Sequence, residues 1–265
     1  MTDKVPLFTI VTVTRNNIAG LKVTAASVAG QSIRDFEWLV IDGNSDDGTQ
    51  VWLETCSIPE LAWISEPDEG LYDAMNKAIQ RARGRYLIFL NAGDEFAAPD
   101  VLARTAGEIA CDPTDVLYGQ SYEIAEGERL LKTAFPHWRI WYSMFTHHQA
   151  IFFARKAIGD KRYPANLRIA GDWALTAEIY LAGKKFRSLG YPVCVFERGG
   201  VSQSSDPEIV RRIYKERIWV NRHIFGMSPL KSRAILFVKH GVEYGRRLFP
   251  GIYDRLRFRR NYNME

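Results

Sequence analysis

The stretch 65-SEPDEGLYDAMNKAIQRARGRYLIFLNAGD-94 decides how the chain is read. It opens with an acidic loop, Glu66-Pro67-Asp68-Glu69-Gly70. Leu71, Met75, Ala78, Ile79 and Ala82 then recur at helix spacing. Gly84 is a stop signal, and the apolar run RYLIFL, residues 85–90, has the character of a buried parallel strand. The strand ends on Asn91-Ala92-Gly93-Asp94-Glu95. Open α/β sheets bind ligands at the carboxyl ends of their strands, so this edge is a candidate active site.

Outward from this stretch the pattern repeats. Residues 7–14 (LFTIVTVT) form a first strand, followed by a helix over 18–29. Residues 37–41 (EWLVI) form a second strand ending on Asp42, and a turn-rich loop, DGNSDDGT, leads to a helix from Thr49 to Glu54. Residues 61–65 form a third. The alternation predicts an α/β fold with a doubly wound, mainly parallel sheet. Beyond it the spacing predicts a helix from Pro99-Asp100 onward, strands over 115–118 and 120–124 around Gly119, and a strand over 150–154. A helix over 173–182 and strands over 186–189 and 193–197 follow, then helices over 208–224 and 230–249.

With 265 residues and 46% hydrophobic content, the chain can bury a large core. No apolar run reaches the roughly 20 residues that span a bilayer. The N-terminus lacks the layout of a signal peptide, and three scattered cysteines, Cys56, Cys111 and Cys194, suit a reducing cytoplasm. From Arg211 onward 14 Lys and Arg stand against 4 Asp and Glu, so a tail of +10 follows a body of −6. That asymmetry argues against a nucleic-acid binder and for a tail that meets an anionic surface. Leu230, Ile235, Leu236, Val238, Val242, Leu248 and Phe249 interleave with Lys231, Arg233, Lys239, Arg246 and Arg247. Arg255, Arg257, Phe258, Arg259 and Arg260 follow. Such a helix either lies on anionic lipid or packs on the domain with a solvated basic face.

Asp42, Asp68 and Asp94 fall at successive strand ends. Carboxylates there can accept from a nucleobase N–H or ribose hydroxyls and can ligate a hard cation beside a diphosphate; each alone can equally cap a turn. The chain lacks G-x-G-x-x-G after the first strand and lacks a P-loop, which removes support for dinucleotide binding and P-loop phosphoryl transfer.

TIVTVTRN, VIDGNSDDGT and the 65–94 stretch together resemble the family 2 glycosyltransferases of GT-A fold, most closely the branch that builds bacterial exopolysaccharide, colanic-acid-type and O-antigen units. HHQAIFF, AGDWAL and GGVS resemble that branch in order and spacing. The resemblance covers about residues 7–205. It implies a GT-A domain over 1–205 (a nucleotide-binding half, 1–118, and an acceptor-binding half, 119–205) with a basic helical extension over 206–265. It implies an inverting transfer from a UDP- or GDP-sugar to a lipid-linked saccharide at the inner face of the plasma membrane. By resemblance, Asp42 and Asp68 contact the nucleotide, with Thr14, Arg15, Asn16, Asn91 and Gly93 beside them. Asp94 matches the last carboxylate of a D-x-D-type motif and would hold Mg²⁺ or Mn²⁺. Asn91 and Gly93 stand where aspartates often occur, which thins that motif. Asp172 resembles the catalytic base; as a residue opening a helix it could also be an N-cap. Glu95, His148, Gln149, Gly171, Trp173 and Arg198 are further candidate contacts, and 199–205 is a loop that could order over the donor. A sugar-nucleotide-binding protein without turnover and a nucleotidyltransferase stand as alternatives.

Overall fold

The chain's β-branched and aromatic runs do build one sheet. In the computed structural model, residues 4–125, 127–197, 206–248 and 258–259 are described. Strands β1 (Phe8–Thr14) and β2 (Phe36–Asp42) are buried along their whole length and pair in parallel. β3 (Leu61–Ser65) joins β2, and β4 (Tyr86–Phe89) joins β1, both in parallel. The order β3-β2-β1-β4 places the switch of winding direction between β1 and β4. Their carboxyl ends therefore open the crevice where ligands bind in such sheets. The helices α1 (Ile18–Ala29), α2 (Thr49–Thr55) and α3 (Leu71–Arg81) make the crossovers, all at the positions the sequence predicts to within a few residues.

The second half differs from its sequence reading. The strands expected on either side of Gly119 are one strand, β6 (Val116–Ala125), and those expected over 186–189 and 193–197 are one strand, β9 (Phe186–Glu197). β6 and β9 run parallel, with register shifts at Gln120 and Ser121. A Cβ on Gly119 would lie 2.6 Å from the Tyr191 carbonyl oxygen, so the irregularity keeps a glycine in mid-strand. Two short strands that sequence periodicity missed complete the sheet. β5 (Glu95–Phe96) pairs antiparallel with β9, and β7 (Glu128–Lys132) pairs antiparallel with β6. β8 (Ile151–Ala154) ties the halves together, antiparallel to both β4 and β6. The sheet is therefore mixed on this side.

Helices α4 (Val101–Cys111), α5 (Arg155–Ile158) and α6 (Gly171–Leu181) complete the body. Pro207–His223 and Pro229–Leu248 form α7 and α8, and β10 (Phe258–Arg259) pairs with β7. The rest of the expected basic tail, including Arg255, Arg257 and Arg260, lies outside the described residues.

At the amino edge of the sheet a buried acid holds the turn before β4. Glu37 accepts from the Thr9 hydroxyl (2.6 Å), the Arg83 and Gly84 amides (2.5 and 3.2 Å) and the Arg83 Nε (2.7 Å). Burial would raise its pKa, but these donors outweigh it and hold the carboxyl below its usual range. Glu37→Leu should lower stability by about 1–3 kcal/mol, because two backbone amides lose their acceptor. The wild-type contribution should fade as acid protonates the group, and urea midpoints at neutral and acidic pH would measure both effects.

Candidate active site

At the carboxyl edge, β1 ends on Thr14, whose hydroxyl is buried and without a partner among the described residues. Asn16 takes a left-handed backbone (φ 49°). Its amide donates to the Ser45 hydroxyl and its side-chain oxygen accepts from the Asp46 amide, so it braces the loop after β2. Asp42 is fully buried. It accepts from the Ser45 amide (3.0 Å), the Ser45 hydroxyl and the Ser65 hydroxyl (2.6 Å), which ties the ends of β2 and β3 together. Asp68 accepts from the Gly70 amide at 2.8 Å. Its other oxygen lies over Gly43, where a Cβ would stand 2.3 Å from it and 3.2 Å from Arg15 Cδ. Asp68, Arg15 and the Gly43 backbone thus meet at one spot.

The turn after β4 is built around a desolvated carboxylate. Asp94 Oδ2 accepts from the Asn91 amide (2.9 Å) and the Gln149 side-chain amide (3.1 Å). Gly93 supplies the positive φ, 105°, that closes the turn. Burial pushes the Asp94 carboxyl up to about 7 against these two donors. Thr24 of α1, absent from the sequence reading, holds the same turn: its hydroxyl donates to the carbonyl of Asp94 (2.7 Å) and accepts from the Gly93 amide (3.0 Å). Glu95 begins β5 and is half-buried.

Among the described residues no group of three His, Cys, Asp or Glu could hold a metal ion. Asn91 nevertheless carries a buried side-chain oxygen without a partner among the described residues, in the same turn as the Asp94 carboxylate. An orphaned amide oxygen beside a single carboxylate fits a hard cation that takes its remaining ligands from a diphosphate and water.

His148 links this turn to Asp172. Its Nε2 lies 3.5 Å from the Asn91 side-chain amide and its Nδ1 3.7 Å from Asp172 Oδ2. Burial lowers its pKa, and the Asp172 charge works the other way. On the far side of Asp172, the Tyr72 hydroxyl lies 3.3 Å from Oδ1 and donates to the Ile169 carbonyl at 2.7 Å. The Tyr72 ring lies so close to the start of α6 that a Cβ on Gly171 would stand 2.6 Å from it. Asp172 is not the N-cap of α6: that position is Ala170, and Asp172 sits inside the first turn, accepting from the Trp173 amide. The segment leading into α6 is held instead by Glu216 of α7, which sequence reasoning missed. Buried, it accepts from the amides of Arg168 (3.0 Å), Ile169 (2.8 Å) and Ala170 (2.9 Å).

Trp173 is buried with its indole N–H on the Ile140 carbonyl (2.6 Å) and so anchors a neighbouring segment. The Arg168 guanidinium lies over Gly70, beside Asp68. Arg198 and the loop 199–205 fall outside the described residues. A cleft of about 540 Å³ opens at the opposite, amino edge of the sheet, but its Lys4, Arg34 and Arg83 are paired with Asp35, Glu60 and Glu37.

Residues 9–167 match the family model described as glycosyl transferase family 2. The chain belongs to this family. It is a glycosyltransferase. It is 30% identical over 263 residues to an uncharacterised glycosyltransferase of Mycobacterium tuberculosis, a match covering 95% of this chain and 98% of that one. It is 34% identical over 176 residues to a PGL/p-HBAD biosynthesis glycosyltransferase of Mycobacterium bovis, covering 63% and 67% of the two chains. Its GT-A fold is that of residues 1–349 of TarS from S. aureus (TM-score 0.65, 18% identity, 91% of this chain and 73% of that one).

Two outcomes test this family 2 site. Glu216→Ala strands three amides ahead of Asp172, so turnover should fall tenfold or more while nucleotide binding changes little; kcat measured beside a nucleotide titration separates the two. The raised pKa of Asp94 lies above its ordinary unfolded value, so ionisation of this group removes stability as pH rises from about 4 towards 7. Asp94→Asn should flatten that decline in a melting-temperature series from pH 5 to 8.

Proposed function

We propose that this glycosyltransferase transfers a sugar from a UDP- or GDP-sugar to a hydroxyl of a lipid-linked saccharide in cell-surface polysaccharide biosynthesis, with inversion at the anomeric carbon. The observation that carries the reading is the chain of polar groups from the Asp94 carboxylate through the Asn91 backbone and side-chain amides and His148 to Asp172. A donor diphosphate at the first end and an acceptor hydroxyl at the second would face each other across it. Named relatives support the class: a PGL/p-HBAD biosynthesis enzyme and, at 34% identity over 99 residues, a putative teichuronic acid biosynthesis glycosyltransferase of Bacillus subtilis. Related folds carry UDP-GlcNAc in S. aureus TarS, or GDP-Man and Mn²⁺ in a mannosyltransferase of Pyrobaculum calidifontis.

In this reading Asp68 and Arg15 meet the nucleoside, with Thr14 beside them. Asp42 and Asn16 hold the loop in place, and Arg168 lies close enough to Asp68 to meet donor charge. Asp94 and the Asn91 side-chain oxygen would hold Mg²⁺ or Mn²⁺, with Gln149 orienting Asp94. The ion, when bound, offsets charge on the departing diphosphate. Asp172 takes the proton of the acceptor hydroxyl as its oxygen attacks the anomeric carbon, and the nucleoside diphosphate leaves with the electron pair of the broken C–O bond. Tyr72 and His148 flank Asp172 and fix its orientation. A single displacement from the face opposite the diphosphate inverts the centre.

Thermal stabilisation by UDP and by GDP, each with and without Mn²⁺, tests the donor half. One nucleotide should raise the melting temperature, more with Mn²⁺, and Asp94→Ala should remove the metal's share. Asp172→Asn should keep the nucleotide shift and lose about 10²–10⁴-fold in transfer rate. A nucleotide shift with wild-type turnover in Asp172→Asn would remove the base assignment.

A further inference from the structure

α8 has a packed face and an exposed apolar face. Ser232, Leu236 and Lys239, spaced by four and three residues, are buried against the body. The Lys239 ammonium lies 4.7 Å from the Tyr142 ring centroid and 5.4 Å from that of Trp173, next to Asp172. This answers half of the question the sequence leaves open: the helix does pack on the domain. Its other side is unusual for a packed helix. Leu230 and Phe237 are each 81% exposed and Val238 58% exposed, with exposed Ala234 between them at the same helical spacing. Lys231 and Arg233, both exposed, flank this stripe on either side at about 100° per residue. Close by, Trp138 and Trp141 of the 3-10 helix His137–Trp141 are 56% and 42% exposed, and Tyr142 at its end is the residue Lys239 covers.

We propose that the outward face of α8 is an interfacial surface that seats the enzyme on an anionic lipid bilayer, with Leu230, Phe237 and Val238 entering the headgroup boundary and Lys231 and Arg233 meeting lipid phosphates. Large apolar side chains this exposed, on a helix whose opposite face is satisfied, mark an interaction surface. The charge around them selects the partner. Residues 206–248 hold ten Lys and Arg against four Asp and Glu. An isologous pairing of two copies through this stripe would bring Lys231 and Arg233 against their own equivalents, whereas an anionic surface complements them. On its opposite face α8 sets Lys239 over Trp173 at the start of α6, so the helix that carries the seat also packs on the Asp172 segment. The inference rests on the lipid-linked acceptor reading only for its biological use; the surface itself is read from α8.

The experiment is flotation of the full chain with vesicles of phosphatidylcholine alone and of phosphatidylcholine with phosphatidylglycerol. The comparison includes Leu230→Ser/Phe237→Ser and Lys231→Gln/Arg233→Gln double variants. Because all four side chains are exposed, both variants should keep the wild-type melting temperature and nucleotide-induced shift. The wild type should bind anionic vesicles and release them at raised salt, and each double variant should partition about tenfold less or weaker. Equal partition of wild type and both variants, or none by the wild type, would overturn the proposal while leaving nucleotide binding to judge the site. Loss of concentration-dependent self-association in Leu230→Ser/Phe237→Ser, without vesicle binding by the wild type, would give the face to a second copy instead. Retention by an added protein of the assembly machinery in place of lipid would likewise overturn it.

Discussion

The site depends on a clamp between α3 and the segment that leads into α6. Asn76 donates its side-chain amide to the Tyr163 carbonyl and accepts from the Tyr163 amide, both at 2.9 Å. One turn earlier on the same helix, Tyr72 stacks on the Tyr163 ring (centroids 5.1 Å apart, 14° between planes). Reciprocal amide bonds fix both distance and direction, and the stacked rings fill the space beside them. The helix that starts at the Asp68 loop therefore also sets where Asp172 stands. Its outer charges work the other way, on the acidic loop: Lys77 donates to the Pro67 carbonyl (2.6 Å) and reaches Glu66 and Asp73, while Asp73 accepts from the Glu69 amide. The stretch is dense because Tyr72 and Asn76 hold the segment before α6 while Asp73 and Lys77 hold the acidic loop. The segment that begins at Asp68 thus reaches Asp172, about a hundred residues later in the chain.

Buried acids in this protein fall into two kinds, and their partners tell them apart. Glu37 and Glu216 each take three or more N–H and O–H donors, which compensates the loss of water and makes them fixed parts of the frame. Glu123 joins the frame through charge and not donor number: Lys132 and His147 flank it and hold it well below the carboxylate range despite its burial, while burial and the Lys132 charge push His147 down to about 4. Asp94 has only two donors, both on the same oxygen, and burial wins. An under-compensated carboxylate at a strand end, beside an orphaned amide oxygen, is a place where an added positive charge gains most. The difference in donors separates a ligand-ready acid from structural ones more sharply than exposure does.

Much of this was legible in the sequence, for physical reasons. Parallel strands buried on both faces are continuous apolar runs, so β1 to β4 and the helices between them stand out, as do the carboxylates at their ends. The later half resisted. β5 has two residues and β7 sits at the sheet's margin with Lys and Arg interleaved, so neither shows a period. Gly119 and Gly190 read as breaks, yet β6 and β9 run through them because a bulge absorbs the irregularity. Only the resemblance separated the adjacent histidines, by choosing His148: His147 turns to Glu123 and Lys132, and His148 to Asn91 and Asp172. Thr24 and Glu216 were invisible for a different reason. A threonine in a helix and a glutamate in a basic helix carry no signal until the fold shows which backbone groups they satisfy.

Glu216 also changes what the C-terminal helices are. A segment whose charge is mostly basic reads as an appendage, but its buried glutamate spends its lone pairs on the three amides that precede the Asp172 helix, and Trp173 packs on Phe225 at 5.9 Å. A negative charge at a helix start is favoured there by the helix dipole, and a buried one is tolerated only with donors; the two requirements meet at this single position. α7 is thus part of the frame that holds the start of α6, and α8 packs on α7 through the Asn221 amide and the Ser232 hydroxyl, 3.3 Å apart. The same pair of helices faces inward with an acid that fixes the segment before Asp172 and outward with apolar and cationic side chains. That division of labour explains why one short segment combines a buried carboxylate with so strong an excess of positive charge.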